Sequence, residues 1–312
     1  MRGLTEGLGR SGGAAPLLLT ARAWGRAGAL AFFTANAGCA TALSTSQPAH
    51  VAPVGHFSAE VGVDLSLSVG ALDKVVAASE QISALSNPSS ANPMLLTSDQ
   101  ERTVLAGAAH LGFNPPSVIP HAGLYYVPLP QTEFGLRISG SGLRAGVRRQ
   151  ILDQSANGFD LTVGIGLDRS VFTPQIDYGT CTGTCVHIDS YERWNVDAAA
   201  VIGRHGSWFR WWVGPRFLFS TLSQAMTLTT PSNSDLVGVP PVLTIPGSVS
   251  GSGAYLGLSA GVALGYRNFF LGPELTVVEL VGSADVTALG STVNENLSAF
   301  VLSPAFAVMG EF

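Results

Sequence analysis

Residues Phe57 to Val69 read FSAEVGVDLSLSV. Every odd position is apolar: Phe57, Ala59, Val61, Val63, Leu65, Leu67 and Val69. Every even position is Ser, Glu, Gly or Asp. In a chain that is 46% hydrophobic, a given window does this by chance roughly once in ten thousand. A second stretch, FDLTVGIGLD at Phe159 to Asp168, repeats the alternation. A period of two makes a strand with one greasy and one polar face. Two architectures accept such strands. A soluble sandwich turns the greasy face onto a core, whereas a membrane barrel turns it to lipid and the polar face to a lumen.

Composition favours the barrel. Only 12% of the residues are charged, about half the usual share. Lys74 is the single lysine. A water-soluble domain normally coats itself with Lys and Glu. The net charge of −5 offers no basic footprint for nucleic acid.

Alternating segments recur at 57–69, 121–128, 133–139, 142–152, 158–170, 191–203, 207–222, 254–267, 269–281 and 298–312, ten in all. Residues 70–120 interrupt them. ALDKVVAASEQISAL (71–85) and TSDQERTVLAGAAHL (97–111) read as short helices, the second opening on a Ser/Thr–x–x–Glu-like start. The connections DQSAN (153–157), RHG (204–206) and RN (267–268) are short. Those at 171–190, 223–253 and 282–297 are long and rich in Ser, Thr, Gly and Pro. Short turns at one end and long loops at the other mark an outer-membrane barrel, with the turns periplasmic. The predicted fold is therefore all-β, an antiparallel up-and-down transmembrane barrel of about ten strands at 56–312, with a helical insertion at 70–120. If HAGLYYVP were loop instead of strand, eight strands would satisfy the required even number.

The polar faces carry Glu60, Asp64, Arg137, Arg144, Arg148, Asp160, Asp168, Arg193, Asp197, Arg210, Arg216 and Glu274. Both signs share one face, so cross-strand pairs in a narrow lumen are expected, because an unpaired buried charge is costly. Trp194, Trp208, Tyr266, Phe269 and Phe312 near strand ends suit an interfacial girdle. The recurrences VGPRF (213–217), LGPEL (271–275) and LSPAF (302–306) suggest bulges or bends, since Pro deletes a ladder donor.

Upstream, Arg22 and Arg26 precede an apolar run and then small residues, which has the form of an export signal at 1–38. Two cleavage readings stand: Ala35-Asn36-Ala37 as an ordinary site, or NAGC as a lipobox with Cys39 lipidated. Residues 39–55 read as a Pro-rich tether. Cys181 and Cys185, in CTGTC, are expected to form a loop disulfide in an exported chain. A metal site adding His187 and Asp189 has loose spacing and no second ligand pair.

Three stretches carry a resemblance. AFAVMGEF (305–312) resembles the terminal assembly signal of bacterial outer-membrane proteins, through Phe306, Val308 and Phe312. GCATALSTSQPAHVAPVGHFSAEVGV and FGLRISGSGLRAGVRRQIL are similar to barrel lipoproteins of Gram-negative bacteria such as myxobacteria. The resemblance implies location in the outer membrane, with outer-membrane lipid and the barrel assembly machinery as partners, and no particular ligand. No catalytic spacing and no cofactor motif stands out, so the reading is not enzymatic. A structural or surface barrel is the first expectation. A channel or transporter for small or lipophilic solutes is the alternative, and a secreted soluble β protein the weaker one. Ten strands leave little room for an aqueous pore.

Overall fold

The computed structural model describes residues 41–69, 73, 98–171, 177–178, 185–231, 242–288 and 290–312. The export segment, Cys39, Cys181 and all of the first expected helix except Asp73 lie outside the described residues. The strands are β1 (Phe57–Val69), β2 (Ser117–Leu129), β3 (Thr132–Ser139), β4 (Gly142–Leu152), β5 (Asp160–Ser170) and the two-residue β6 (Asp177–Tyr178). They continue as β7 (Cys185–His205), β8 (Phe209–Pro231), β9 (Val242–Tyr266), β10 (Phe269–Ala288), β11 (Ser291–Asn296) and β12 (Ala299–Glu311). Helix α1 spans Ser98–Phe113, and a single turn α2 spans Gln154–Asn157.

Ten strands close a ring in the order β1, β2, β3, β4, β5, β7, β8, β9, β10, β12, and β12 pairs back onto β1. Every pairing is antiparallel. HAGLYYVP lies within β2, between β1 and β3, which removes the eight-stranded alternative. At the seam, Phe57 N donates to Phe312 O at 2.9 Å and Phe312 N to Phe57 O at 2.8 Å.

The alternation is turned inside out. On β1, Glu60, Asp64, Ser66 and Ser68 are buried, while Val61, Val63, Leu65 and Leu67 are exposed outward. On β5, Asp160 and Thr162 are buried, while Val163, Ile165 and Leu167 are exposed. The outward apolar surface forms a band with an edge at each end. At the short-turn end stand exposed Phe57, Tyr126, Trp208, Tyr266, Phe269 and Phe312, together with Arg149, Arg204 and Arg267. At the other end the first outward charges are Arg169, Glu192 and Glu279.

Beyond that second edge the polarity reverses within the same strands. β10 turns Phe269, Leu271 and Leu275 outward inside the band, and Glu279, Ser283 and Asp285 outward past it. Its inward residues change from Glu274 and Thr276 to Leu280, Ala284 and Val286. Much of what the sequence suggested as long loops at 171–190, 223–253 and 282–297 is therefore strand: β7 starts at Cys185, β8 runs to Pro231, β9 starts at Val242 and β10 reaches Ala288. The wall is lowest at the β3–β4 turn and tallest at β8–β9. Helix α1 fills the tall end. Ala109 and Phe113 pack with Leu222, Val249, Tyr255, Leu280, Val286 and Leu297 in one buried cluster. Helix α1, the described part of the expected insertion, thus caps the barrel from within.

The Gly/Ser-Pro recurrences are not bulges. The β7–β8 ladder skips between Ala199↔Arg216 and Ile202↔Val213 without a register shift. The same happens around Pro273 on β9–β10 and around Pro304 on β1–β12. A Cβ at Gly214 would lie 1.8 Å from Ala200 O, and one at Gly272 would lie 1.9 Å from Val262 O. Strand proximity, and not an extra residue, accounts for those glycines. The true register shifts fall at Tyr126/Leu129, Gln150/Leu152 and Ile188/Ser190.

Residues 41–53 do not form an external tether. Leu43, Ser44, Ser46, Ala49, Val51 and Ala52 are all buried. The segment enters the lumen beside the β3–β4 turn, runs to the short-turn end, and there turns into β1.

Candidate functional site

The segment 41–53 has no ladder of its own, and buried backbone N–H and C=O groups must be paired. The wall supplies the partners from its inward side chains. Glu274 accepts Thr45 N at 2.7 Å, Ser46 N at 2.9 Å and Trp212 Nε1 at 2.9 Å. Arg137 donates to Ser44 O at 2.6 Å, Arg148 to Pro48 O at 2.5 Å and to His50 O at 3.2 Å, and Arg216 to Leu43 O at 3.2 Å. Gln150 Oε1 accepts Val51 N at 2.9 Å, and Thr162 Oγ1 donates to Ala49 O.

The remaining valences of these side chains pair with one another. Arg137 lies 3.2 Å from Glu60 and 3.7 Å from Asp64. Tyr125 OH donates to Glu60 at 2.7 Å, Ser44 Oγ to Asp64 at 2.6 Å, and His121 Nδ1 lies 3.3 Å from Asp64. Arg148 grips Glu133 with two bonds of 2.6 and 3.0 Å. Asp197 takes Arg144 in two bonds of 2.7 and 2.9 Å and Arg216 at 2.8 Å. Arg210 pairs with Glu311 and stacks over the Phe270 ring at 3.5 Å. Arg193 anchors the cap by donating to Phe113 O at 2.8 Å, to Ser220 at 2.9 Å and to Tyr255 at 3.0 Å.

All twelve charges singled out from the strand faces, Arg193 and Asp197 among them, point inward. The expected pairing between neighbouring strands is only partly how they are satisfied. Arg144 sits directly across from Arg137 and Asp168 in the ladders, yet it reaches to Asp197, and Asp168 accepts from Asn195 at 2.7 Å. Glu133 and Glu311 were missed, although Glu133 shares the parity of Arg137 on its strand and Glu311 has the parity opposite to the outward Phe306, Val308 and Phe312. The segment 41–53 was missed altogether. Phe306, Val308 and Phe312 lie exposed on the outward face of β12 and just past its end. Phe312 makes an edge contact with Phe269 at 5.6 Å between ring centres. Cys185 begins β7 and Cys181 lies outside the described residues. Asp189 accepts Thr227 Oγ1 at 2.6 Å on the outer wall.

What the lumen leaves open is small. One gap, lined by Thr45, Gln47, Glu133, Arg148, Thr162 and Asp197 among others, measures about 30 Å³. That is room for one or two waters.

No protein-family model matches the chain, and no curated protein matches it. Among solved structures it is similar to Ail, the attachment invasion locus protein of Yersinia pestis, at 9% identity and TM-score 0.29 over 83% of this chain and 100% of that one. It is similar to the N-terminal β-barrel domain of Pseudomonas aeruginosa OprF at 11% and 0.23, over 82% and 97%. Neisserial surface protein A gives 12% and 0.28, over 82% and 96%. On its own geometry, a closed antiparallel ring of ten strands with an apolar outside and a polar inside, the chain has the fold of a bacterial outer-membrane β-barrel.

Proposed function

We propose that the chain resides in the bacterial outer membrane as a closed barrel, with its short turns in the periplasm, and acts through the polar sheet and cap that rise on the cell surface. The height of the apolar band supports the location. At about 3.4 Å per residue and about 40° of tilt, the stretch from Phe269 to Glu279 rises roughly 26 Å, and Leu161 to Arg169 roughly 21 Å. An outer-membrane barrel carries a band about 25 Å tall, flanked by aromatic girdles. Exposed arginines among the aromatics at the short-turn rim suit lipid headgroups.

The observation that carries the role is the lumen. Its arginines and carboxylates pair with residues 41–53, with one another, and with the cap and polar groups of the wall, around a gap of about 30 Å³. A lumen filled in this way favours a structural or surface-interaction barrel over a transporter. The segment is held by side chains and not by a ladder, and this keeps a gated channel as the second reading. Purified protein in planar bilayers decides between them. The first reading expects silence across the voltage range, and steady or voltage-gated conductance by the intact chain overturns it. Fractionation of cells labelled with fatty acid tests location, and lipidation of Cys39, together.

A further inference from the structure

We infer that His50, Asp160 and His205 form a binding site for a divalent transition ion of the zinc class, which clips the lumen segment to the barrel wall. One ligand atom from each residue lies within 4.8 Å of the other two. They come from three separate places: His50 from the lumen segment, Asp160 from the start of β5, and His205 from the end of β7. The His50 and His205 rings stack at 3.9 Å between centres with 27° between planes. His50 Nδ1 is buried and has no hydrogen-bond partner among the described residues. An imidazole nitrogen left unpaired in a buried place is costly as a plain packing feature, but it suits a ligand.

The carboxylate and second imidazole are held from behind. Asp160, fully buried, accepts Gln150 Nε2 at 2.8 Å and Gln154 N at 2.9 Å on Oδ1, which leaves Oδ2 facing His205 Nδ1 at 2.5 Å. Gln154 also fixes the His205 backbone, accepting its N–H at 2.9 Å and donating to its carbonyl at 3.0 Å. Ligating side chains oriented by outer hydrogen bonds are the usual form of a metal site. The neighbouring cations are already paired, Arg148 with Glu133 and Arg210 with Glu311.

Two imidazoles and one carboxylate favour zinc, copper or nickel over magnesium or calcium. Binding replaces the contact between His205 Nδ1 and Asp160, the neutral imidazole carrying its proton on Nε2, and draws all three ligand atoms to about 2.0–2.2 Å from the ion, water completing the shell. His50 sits on chain with no ladder, so it can move to close that distance. The His205 side chain is 31% exposed, so ions reach the site from the short-turn end.

Tag-free, chelator-treated protein in detergent is titrated with Zn²⁺ by calorimetry. One ion per chain is expected. His50→Ala and His205→Ala should each weaken binding by at least about tenfold, and His56→Ala, at an exposed neighbour outside the cluster, should not. Equal binding by the wild type and the His50→Ala/His205→Ala double variant overturns the proposal, as does equal loss on His56→Ala. If the double variant does not fold, Cu²⁺-loaded wild type is read by electron paramagnetic resonance. Hyperfine splitting from two imidazole nitrogens supports the site, and its absence overturns it.

Discussion

Replacing Glu274 by Met tests whether the lumen segment is held as its hydrogen bonds imply. The change roughly conserves volume, so it opens little cavity. It removes the acceptor of three buried donors, Thr45 N, Ser46 N and Trp212 Nε1. Each orphaned donor costs about 1–3 kcal/mol, so the seated state should lose roughly 3–9 kcal/mol. The segment can escape by swinging into water, so the lower figure applies to release: about 3 kcal/mol, or roughly a hundredfold shift toward the unseated state. Two assays read this. Single-channel recording should show openings in Glu274→Met that the wild type lacks. Limited proteolysis in detergent should cut residues 41–53 in the variant and spare them in the wild type. Glu279→Gln, on the outward face of the same strand, should change neither. A folded Glu274→Met protein that stays electrically silent and uncut would refute the assignment of Glu274 as the anchor of the segment.

Arginine at Val163 should cost up to about 2–4 kcal/mol in lipid vesicles, measured by urea unfolding. Arginine at Thr162 should also destabilise: Thr162 is only 3% exposed and bonds Ala49 O, so the added bulk overpacks a filled lumen by about 1–3 kcal/mol. Phe113→Ala should lose about 3–5 kcal/mol and loosen the cap, seen as faster hydrogen exchange in α1 while the strands in the apolar band stay protected. Cys181 and Cys185 should resist alkylation in isolated outer membranes until reduced, and free thiols there would reject the pair.

Ring order and facing were legible because period two is a local property. Strand number, the inward charges and the outward apolar face all follow from parity, and Glu133 and Glu311 were there to be found, since both fall at inward parity inside the segments 133–139 and 298–312. The upper parts of β7 to β10 were not legible in the same way. The sequence readings 207–222 and 269–281 stop close to where the outward face changes from apolar to polar, whereas β8 runs to Pro231 and β10 to Ala288. A search for greasy residues at one parity ends where the surrounding solvent changes. The lumen segment shows no period at all. Its partners are side chains from Arg137 on β3 to Glu274 on β10, and nothing local in STSQPAHVAP announces them. The His50, Asp160 and His205 cluster was hidden for the same reason, because its members meet only when the segment is threaded.

The reversal within single strands explains why this barrel needs its own insertions. Inside the band, inward Arg, Asp and Glu must be satisfied either by water, as in a wide pore, or by protein. Above the band, inward Leu280, Val286 and Val249 must be covered, because there the outside is already polar. One strand set therefore demands two different fillings. The lumen segment, polar through its backbone, meets the charged lower half, and helix α1, apolar through Ala109 and Phe113, meets the upper half. At the change of polarity Arg193 donates to the carbonyl of Phe113, and Leu43 of the segment joins Ala109 and Phe113 in the apolar cluster. Arg193→Met should therefore uncouple the cap from the charged lumen, exposing α1 to exchange without releasing residues 41–53 to protease. If both were released together, cap and segment would form one cooperative plug and the division between two fillings would be wrong.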